Sequence, residues 1–195
     1  MKYLKTPKAG RCLKLLPLLG VVFLSACASI NTLGRLEDGA GVEAGKMWDR
    51  WVESGGDIAV ATTWERKVKA GVTVRDIEQV FEQVAAEHNT KAVGELPLSK
   101  ELEARTGKPQ KFLKVYSYCS PATARMMVDF SPNMAAYLPC RLTVVERGDG
   151  LWIYTLNMDM MVKMGRKLPS PLKEEVWKVR ETIYQMMDRA AKGEF

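Results

Sequence analysis

The chain has 195 residues, of which 47% are hydrophobic, and its mean hydropathy is −0.16. These values are typical of one globular domain with an added segment, and they exclude a disordered chain and a polytopic membrane protein. The formal net charge is +6, but five of the 29 basic residues and none of the 23 acidic residues precede residue 27. Because the remaining charges nearly balance, nucleic-acid binding loses its main electrostatic support, and we expect no nucleic-acid partner.

The N-terminus has the features of an export signal. An apolar run of about ten residues follows the basic residues, which is half the length that spans a bilayer as a helix. The sequence Leu24-Ser25-Ala26-Cys27 resembles the bacterial lipobox, in which the cysteine thiol accepts a diacylglycerol and the signal is cut just before it. We expect a lipoprotein signal peptide over residues 1–26 and a palmitate-bearing Cys27 that anchors the protein, since each buried methylene contributes about 0.8 kcal/mol. The alternative is a soluble secreted protein with an unmodified thiol.

The residue after this cysteine bears on the destination of the protein. Ala28 stands in place of the aspartate that, by resemblance to known lipoprotein sorting, favours retention in the inner membrane. We therefore expect an outer-membrane lipoprotein of a Gram-negative bacterium that faces the periplasm. Residues 28–41 are small, polar and glycine-bearing, as a tether would be.

Residues 42–53 are predicted to form a short helix. Met47, Trp48, Trp51 and Val52 fall on one side of it. We expect this side to be an apolar face docked on the domain; a ligand platform or a membrane-interface patch would also place two tryptophans together. The lipidated cysteine, the tether and this helix make up residues 27–57, and the domain proper is expected over residues 58–195.

Strand and helix patterns alternate through this domain. Period-two alternation predicts strands, and apolar residues three and four apart predict helices. The predicted strands cover residues 58–68, 92–96, 111–119, 141–147 and 151–156, and the predicted helices cover 74–88, 99 to Gly107, 120 through 128 and 170 to Gly193. The short Gly148-Asp149-Gly150 turn requires an antiparallel hairpin. The fold class is therefore α+β: a single mainly antiparallel β-sheet with helices packed mostly on one face, in two layers.

Two cysteines remain in the domain. Alternation along the predicted strands places Cys119 on the face of Val115 and Cys140 on the face of Leu142 and Val144, so both are expected to point into the core. A structural disulfide is permitted in an oxidising periplasm; two separate buried thiols and a redox or ligand-binding thiol are the alternatives. The predicted helix that starts beside Cys119 would lower its pKa and favour redox chemistry, whereas the lack of a Cys-x-x-Cys motif argues against it.

The densest methionine cluster consists of Met158, Met160, Met161 and Met164. Soft thioethers select Cu(I), and a methionine-rich apolar surface can also bind variable partners. Ordinary core packing accounts for their helical spacing as well. These four residues are candidates for binding copper or haem together with a cysteine.

The sequence offers little evidence for an enzyme. His88 is the only histidine and is expected to be a solvated residue at a helix end, so zinc sites based on histidine and Ser-His-Asp triads lack their partners. The sequence also has no glycine-rich phosphate loop and no Gly-x-Ser-x-Gly motif. The balance favours a non-enzymatic protein, and no cofactor is predicted.

The stretch Val115-Tyr116-Ser117-Tyr118-Cys119-Ser120-Pro121-Ala122-Thr123-Ala124, followed by Leu138-Pro139-Cys140-Arg141-Leu142 and Leu151-Trp152-Ile153, resembles the domain-of-unknown-function 302 family. Residues 157–161 and 167–169 are similar to a lipoprotein or secreted branch of it, and the resemblance covers about residues 58–188. It implies a compact α+β fold that is often dimeric, with no established activity. It directs attention to Cys119, Pro139, Cys140, Arg141 and Asn157 without giving any of them a role.

Three hypotheses for function follow. The first is a periplasm-facing lipoprotein whose domain binds a small ligand or a periplasmic protein, with Arg141, Asn157 and Asp159 as candidate ligand-binding residues. The second is a thiol redox protein that uses Cys119 and Cys140. The third is a soft-metal or haem protein that uses residues 158–164 and a cysteine. In each case the membrane is a partner through Cys27, and a homodimer is expected from the resemblance.

Overall fold

The computed structural model describes residues 34–195, and Glu37–Phe195 form a compact unit. The expected signal peptide and the lipidated Cys27 lie outside the described residues. In chain order the elements are α1 (Ala40–Glu53), α2 (Ile58–Thr62), β1 (Thr63–Lys67), α3 (Val74–Glu87), β2 (Lys91–Leu96), α4 (Leu98–Thr106), β3 (Leu113–Cys119), α5 (Pro121–Phe130), a 3₁₀ helix (Pro132–Tyr137), β4 (Cys140–Arg147), β5 (Gly150–Leu156), α6 (Met158–Lys163) and α7 (Ser170–Lys192). Within residues 34–195 the structure has no helix that combines the length and the apolar character needed to cross a membrane.

The five strands form one sheet in the order β1-β5-β4-β3-β2, and every neighbouring pair is antiparallel. Helices α3 and α7 pack on one face of it and bury a common core with β3, β4 and β5. The other face carries half-buried side chains such as Trp152 and Tyr154, whose rings stack with their centroids 6.3 Å apart. The predicted α+β architecture, with one antiparallel sheet and helices mostly on one face, is confirmed.

Helix α3 shows how local sequence sets these boundaries. The Thr73 hydroxyl accepts a hydrogen bond from the Asp76 backbone N–H at 3.2 Å, and the Asp76 carboxylate accepts one from the Thr73 N–H at 2.7 Å. This reciprocal capping box satisfies two of the N–H groups that a helix start leaves free. The helix then buries one apolar stripe completely, formed by Ile77, Val80, Phe81 and Val84.

The predicted strand over residues 58–68 is wrong in its first half, where the chain forms the short helix α2 instead. The Asp57 carboxylate accepts a hydrogen bond from the Ala59 N–H at 2.8 Å and caps this helix. The Thr62 hydroxyl donates to the Ile58 carbonyl at 2.7 Å within the same turn. Local side-chain hydrogen bonds therefore outweigh the period-two alternation, and the strand begins only at Thr63.

Helix α1 forms as predicted, but the prediction that its tryptophan side docks on the domain is wrong. Trp48 is 60% exposed and Val52 is 56% exposed. The docked side instead carries Glu43, which is buried and accepts a hydrogen bond from the Asn157 side-chain amide at 3.2 Å. A polar contact therefore fixes the helix to the domain, and its apolar side faces outward.

Candidate functional site

Two small apolar clefts lie beneath the connection between β3 and β4. This connection consists of α5 and the 3₁₀ helix, and we call it the flap (residues 121–137). The thiol cleft is lined by Cys119, Cys140, Ser120, Thr123, Thr182 and Ile183 among others, and has a volume of about 20 Å³. The adjoining methionine cleft is lined by Met127, Met134, Met158, Met161, Cys140 and Val176 among others, and has a volume of about 30 Å³. Each holds about one or two water molecules.

The segments that carry the family resemblance converge on these clefts. Cys119 ends β3, and Cys140 begins β4, so the two cysteines flank the flap in sequence. Met127, Leu138, Cys140 and Val179 line both clefts, which makes the clefts neighbours with a shared wall. The chain thus brings the side chains of two cysteines and four methionines to two adjoining clefts.

Helix α5 of the flap is held by contacts at its two ends. Ser120 precedes the first turn of α5, and its hydroxyl lies 3.0 Å from that of Thr123. The Thr123 hydroxyl donates to the Glu175 carboxylate of α7 at 3.4 Å. At the far end the Arg166 guanidinium donates to the Phe130 carbonyl at 3.1 Å and lies over the Phe130 ring at 4.5 Å.

Cys119 and Cys140 are free thiols in the structure, and a disulfide between them is not shown. The strand register defines the face of the sheet that each of them occupies. Cys140 lies directly opposite Tyr118 in the β3–β4 pair, and the core side of β3 is occupied by Tyr116 and Tyr118. The prediction that Cys119 shares the core face of the sheet is therefore wrong, because successive side chains of a strand point to opposite faces.

Both thiols are poorly suited to be nucleophiles. Burial raises the pKa of the Cys119 thiol above its ordinary value. Burial, assisted by the neighbouring Cys119, raises the pKa of Cys140 to about 11, and nearby Arg141 only partly opposes this. The expected lowering of the Cys119 pKa by the start of α5 is therefore wrong, because removal of the thiol from water dominates. At neutral pH both groups are protonated, and protonated thiols attack slowly.

The structure brings together two of the four candidate methionines, and metal binding by any of them stays a prediction. Met158 and Met161 line the methionine cleft, whereas Met160 and Met164 are absent from its lining. Two further methionines, Met127 and Met134, come from the flap and were missed. Among the described residues no group of three or more His, Cys, Asp or Glu side chains is placed to hold a metal ion. Any metal held here would depend on thioether sulfur.

The three polar candidates do not come together at this site. Asn157 is buried and caps α6, where its side-chain carbonyl accepts from the Met160 N–H at 3.0 Å while its amide donates to Glu43. The Asp159 carboxylate pairs with the Arg180 guanidinium at 3.1 Å. Arg141 is exposed. None of the three lines either cleft, and ligand binding by them stays a prediction.

His88 follows the end of α3, as predicted, and its Nε2 lies 3.2 Å from the side-chain carbonyl of Gln185. It is half-buried, not fully solvated. Neither cleft includes it. This contact between α3 and α7 gives the histidine a structural role.

Comparisons with known proteins agree with this architecture. The family described as "Domain of unknown function DUF302" matches residues 64–190. A crystal structure described as an uncharacterized conserved protein DUF302 from Bacillus stearothermophilus has a TM-score of 0.53 and 16% identity, over 66% of this chain and 98% of that chain. At this identity the likeness shows a shared fold alone. No curated protein matches. Because the family match spans most of the described residues, the chain belongs to the DUF302 family.

Proposed function

We propose that the protein is a periplasm-facing lipoprotein whose domain binds a single soft metal ion, Cu(I), in the methionine cleft. One observation carries this proposal. Four methionine residues and Cys140 line one apolar cleft with a volume of about 30 Å³. The cleft has the ligand atoms that Cu(I) prefers and has space for an ion.

The size of the cleft argues against larger ligands. Pockets for organic ligands and cofactors usually measure roughly 300–1,000 Å³, about ten times the volume available here. Haem or an organic ligand would have to lift the flap from α7. A single ion needs only small rotations of methionine side chains, which are unbranched and adaptable.

The ligand set would join three parts of the domain. Met127 and Met134 belong to the flap, Met158 and Met161 to α6, and Cys140 to β4. Cu(I) bound by these groups would cross-link the flap to the body of the domain. If Cys140 is a ligand, its S–H bond breaks, a copper–sulfur bond forms and one proton leaves, because the pKa of about 11 keeps the free thiol protonated.

Thiol redox chemistry has less support as a second function. The two cysteines are close neighbours in the clefts, but burial raises both pKa values and leaves little thiolate at neutral pH. Attack on a disulfide or a peroxide requires that thiolate. The same raised pKa of Cys140 is compatible with a metal ligand, because a bound metal displaces the proton.

Copper binding is tested on the full chain, exported, purified in mild detergent and titrated anaerobically with Cu(I) against bicinchoninate as a coloured competitor. We expect one Cu(I) per chain, and an affinity that weakens about tenfold per pH unit on acidification if Cys140 is a ligand. The double variant Met134→Leu/Met161→Leu should bind at least ten times more weakly, since it keeps the side-chain volume and removes two sulfurs.

The matched control is Met186→Leu/Met187→Leu. These methionines belong to α7, are fully buried in the main core and line neither cleft. The control should bind Cu(I) as the parent does. Equal binding by both double variants, or an equal loss in both, would contradict the methionine cleft as the site. If the parent chain takes up no Cu(I), the proposal is wrong and the methionines of the cleft serve only to pack the domain.

The lipoprotein part of the proposal has its own test. Cells that express the chain are supplied with labelled palmitate, and the label should appear in the protein and be absent from Cys27→Ser. Separation of inner and outer membranes should place the labelled protein in the outer-membrane fraction. Unlabelled protein in the soluble periplasmic fraction would contradict the prediction of a lipid anchor at Cys27. It would leave the proposal of Cu(I) binding unaffected.

A further inference from the structure

The outward side of α1 is an exposed apolar surface. Residues three, four and seven apart lie on the same side of a helix, and this side carries a tryptophan face made of Gly41, Ala44, Gly45, Trp48, Trp51 and Val52. Trp48 and Val52 are more than half exposed, and Trp51 is 37% exposed. Exposed clusters of large apolar side chains mark places where a soluble domain meets a partner or a membrane.

The tryptophan face is held in a fixed shape. The rings of Trp48 and Trp51 contact each other with centroids 5.2 Å apart. The Trp51 indole N–H donates to the Gly56 carbonyl at 2.9 Å, so the loop after α1 folds back against that ring. On the opposite side of the helix, the bond between Glu43 and Asn157 fixes α1 to the start of α6. The aromatic surface is therefore presented by a helix with a defined orientation.

We infer that the tryptophan face lies in the interfacial region of the lipid bilayer, as a second membrane contact beside the anchor at Cys27. This inference rests on the lipid anchor of the proposed function and is independent of the copper site. Cys27 is 13 positions before Ala40, so the anchor keeps the start of α1 within about 45 Å of the bilayer. Tryptophan rings, apolar with one polar N–H, are enriched at the level of the lipid headgroups.

The charges on α1 indicate whether the tryptophan face binds the membrane through anionic lipids or through burial of apolar side chains. Lys46 and Arg50 are outnumbered by Glu43, Asp49 and Glu53 along the helix. Attraction to anionic lipid is therefore weak, and burial of the aromatic and aliphatic side chains provides the contact. Because the anchor already holds the domain at high local concentration near the bilayer, a weak contact is enough to orient it.

The area of the face argues against a second copy of the chain as its occupant. Helix α1 has 14 residues, which gives a face of roughly 20 Å by 10 Å, or about 200 Å². A stable protein–protein interface buries about 800 Å² on each partner. The face alone is too small for a stable dimer, whereas a membrane contact assisted by an acyl anchor needs no such area.

The test uses the full acylated chain reconstituted in phosphatidylcholine vesicles, with and without lipids that carry bromine on the acyl chains. Bromine quenches nearby tryptophans, and two of the five tryptophans of the chain lie on the face. We expect about two fifths of the fluorescence to be quenched, with little change between low and high salt. Trp48→Ser should remove about half of that quenching, since this exposed ring has little contact with the fold.

The matched control is Trp177→Phe in α7, which should leave the quenched amount unchanged. If the protein floats with the vesicles but shows no bromine quenching, the inferred membrane contact of the tryptophan face is wrong. The lipid anchor at Cys27 would still be supported. Protein that does not float would overturn the anchor and the inference together. If iodide in detergent-free buffer fails to reach Trp48 in the unacylated Cys27→Ser chain, a second copy or another segment covers the face, and the inference is wrong.

Discussion

One sheet supports two differently packed regions, the layer beneath α3 and α7 and the clefts beneath the flap. In the first region Ile77, Val80, Phe81, Val84 and Met186 have no exposed surface. In the second, Thr123 is the one buried residue of α5, and the 3₁₀ helix has none among these described residues. The first region is filled mostly by branched and aromatic side chains together with Met186 and Met187, and the second is lined by methionines around small gaps.

This difference separates stability from adaptability within a single domain. Close packing makes a core sensitive to the loss of a few atoms. Methionine side chains fill irregular gaps and change rotamer easily, so a region built on them can admit an ion or shift a helix at small cost. Regions with few buried apolar contacts also open more readily than the core around them.

The largest expected effect is in the main core. Phe81 is fully buried and contacts the rings of Tyr116 and Tyr118 edge to face, with centroids 5.4 and 6.2 Å away. Phe81→Ala should lower the free energy of unfolding by about 3–5 kcal/mol in urea denaturation. Met134→Ala in the flap, the matched comparison, should cost about 1 kcal/mol because Met134 is only half-buried. Similar losses in the two variants would erase the difference between the regions.

The next effect concerns the wall that α6 contributes to the methionine cleft. Asn157 caps this helix and is the partner of buried Glu43. Asn157→Ala should lower the free energy of unfolding by about 2 kcal/mol, since it removes a helix cap and leaves a buried carboxylate with one fewer donor. Asn133→Ala, at an exposed position of the flap, should change it by less than about 0.5 kcal/mol. An equally small change in Asn157→Ala would mean that apolar contacts alone hold the wall.

A smaller effect lies at the polar edge of the main core. Burial would raise the pKa of Glu78, but hydrogen bonds from Lys114 at 2.8 Å and Tyr116 at 2.7 Å outweigh it, and the pKa is lowered. A carboxyl with a lowered pKa in the folded state stabilises the protein above its unfolded pKa, and this contribution disappears as the pH falls through the folded value. Glu78→Gln should therefore be less stable at pH 7, by under about 1 kcal/mol.

The check for Glu78 is urea denaturation of both proteins from pH 7 to pH 3. The difference in unfolding free energy should shrink as the pH drops below 4.5, the ordinary value for this carboxyl. A difference that stays constant over this range would show that Glu78 acts through packing and not through its charge.

Most of the fold could be predicted from the sequence because periodicity and caps report local structure. The hairpin around Gly148-Asp149-Gly150 and the helix that follows Thr73 are examples, and each depends on residues close together in the chain. Prediction failed where a long-range or competing polar contact determines the secondary structure or the orientation of a helix. The Asp57 side chain turns residues 58–62 into a helix, and a bond between Asn157 and Glu43, 114 positions apart, turns the tryptophans of α1 outward.

The candidate site could be predicted only in part. Cys140, Met158 and Met161 were singled out from their own neighbourhoods, whereas Met127 and Met134 reach the same cleft through the fold of the flap. The sequence did indicate Met127 and Met134 as candidates, since both lie between Cys119 and Cys140 in the chain. Their joint placement with α6 depends on how the flap packs on α7, and residue spacing does not specify that packing.

The smallest expected effect is on the ionisation of one thiol, that of Cys140, beneath the flap. In the double variant Cys27→Ser/Cys119→Ser, Cys140 is the one thiol left among the described residues, and burial is the main cause that raises its pKa, to about 11 in the parent chain. The rate of alkylation by iodoacetamide, followed by mass spectrometry, should therefore rise about tenfold per pH unit from pH 8 to pH 10 without a plateau.

The same measurement in urea should level off near pH 9, because the unfolded thiol has its ordinary pKa. A plateau near pH 9 in the folded protein would show that water reaches Cys140 freely and that the flap does not close the clefts. Met134→Ala should shift the folded profile toward the unfolded one, while a cavity in the main core, as in Ile77→Val, should leave it in place. That contrast follows because Met134 lines the methionine cleft beside Cys140, whereas Ile77 lines neither cleft and Ile77→Val removes only one methylene from the filled layer.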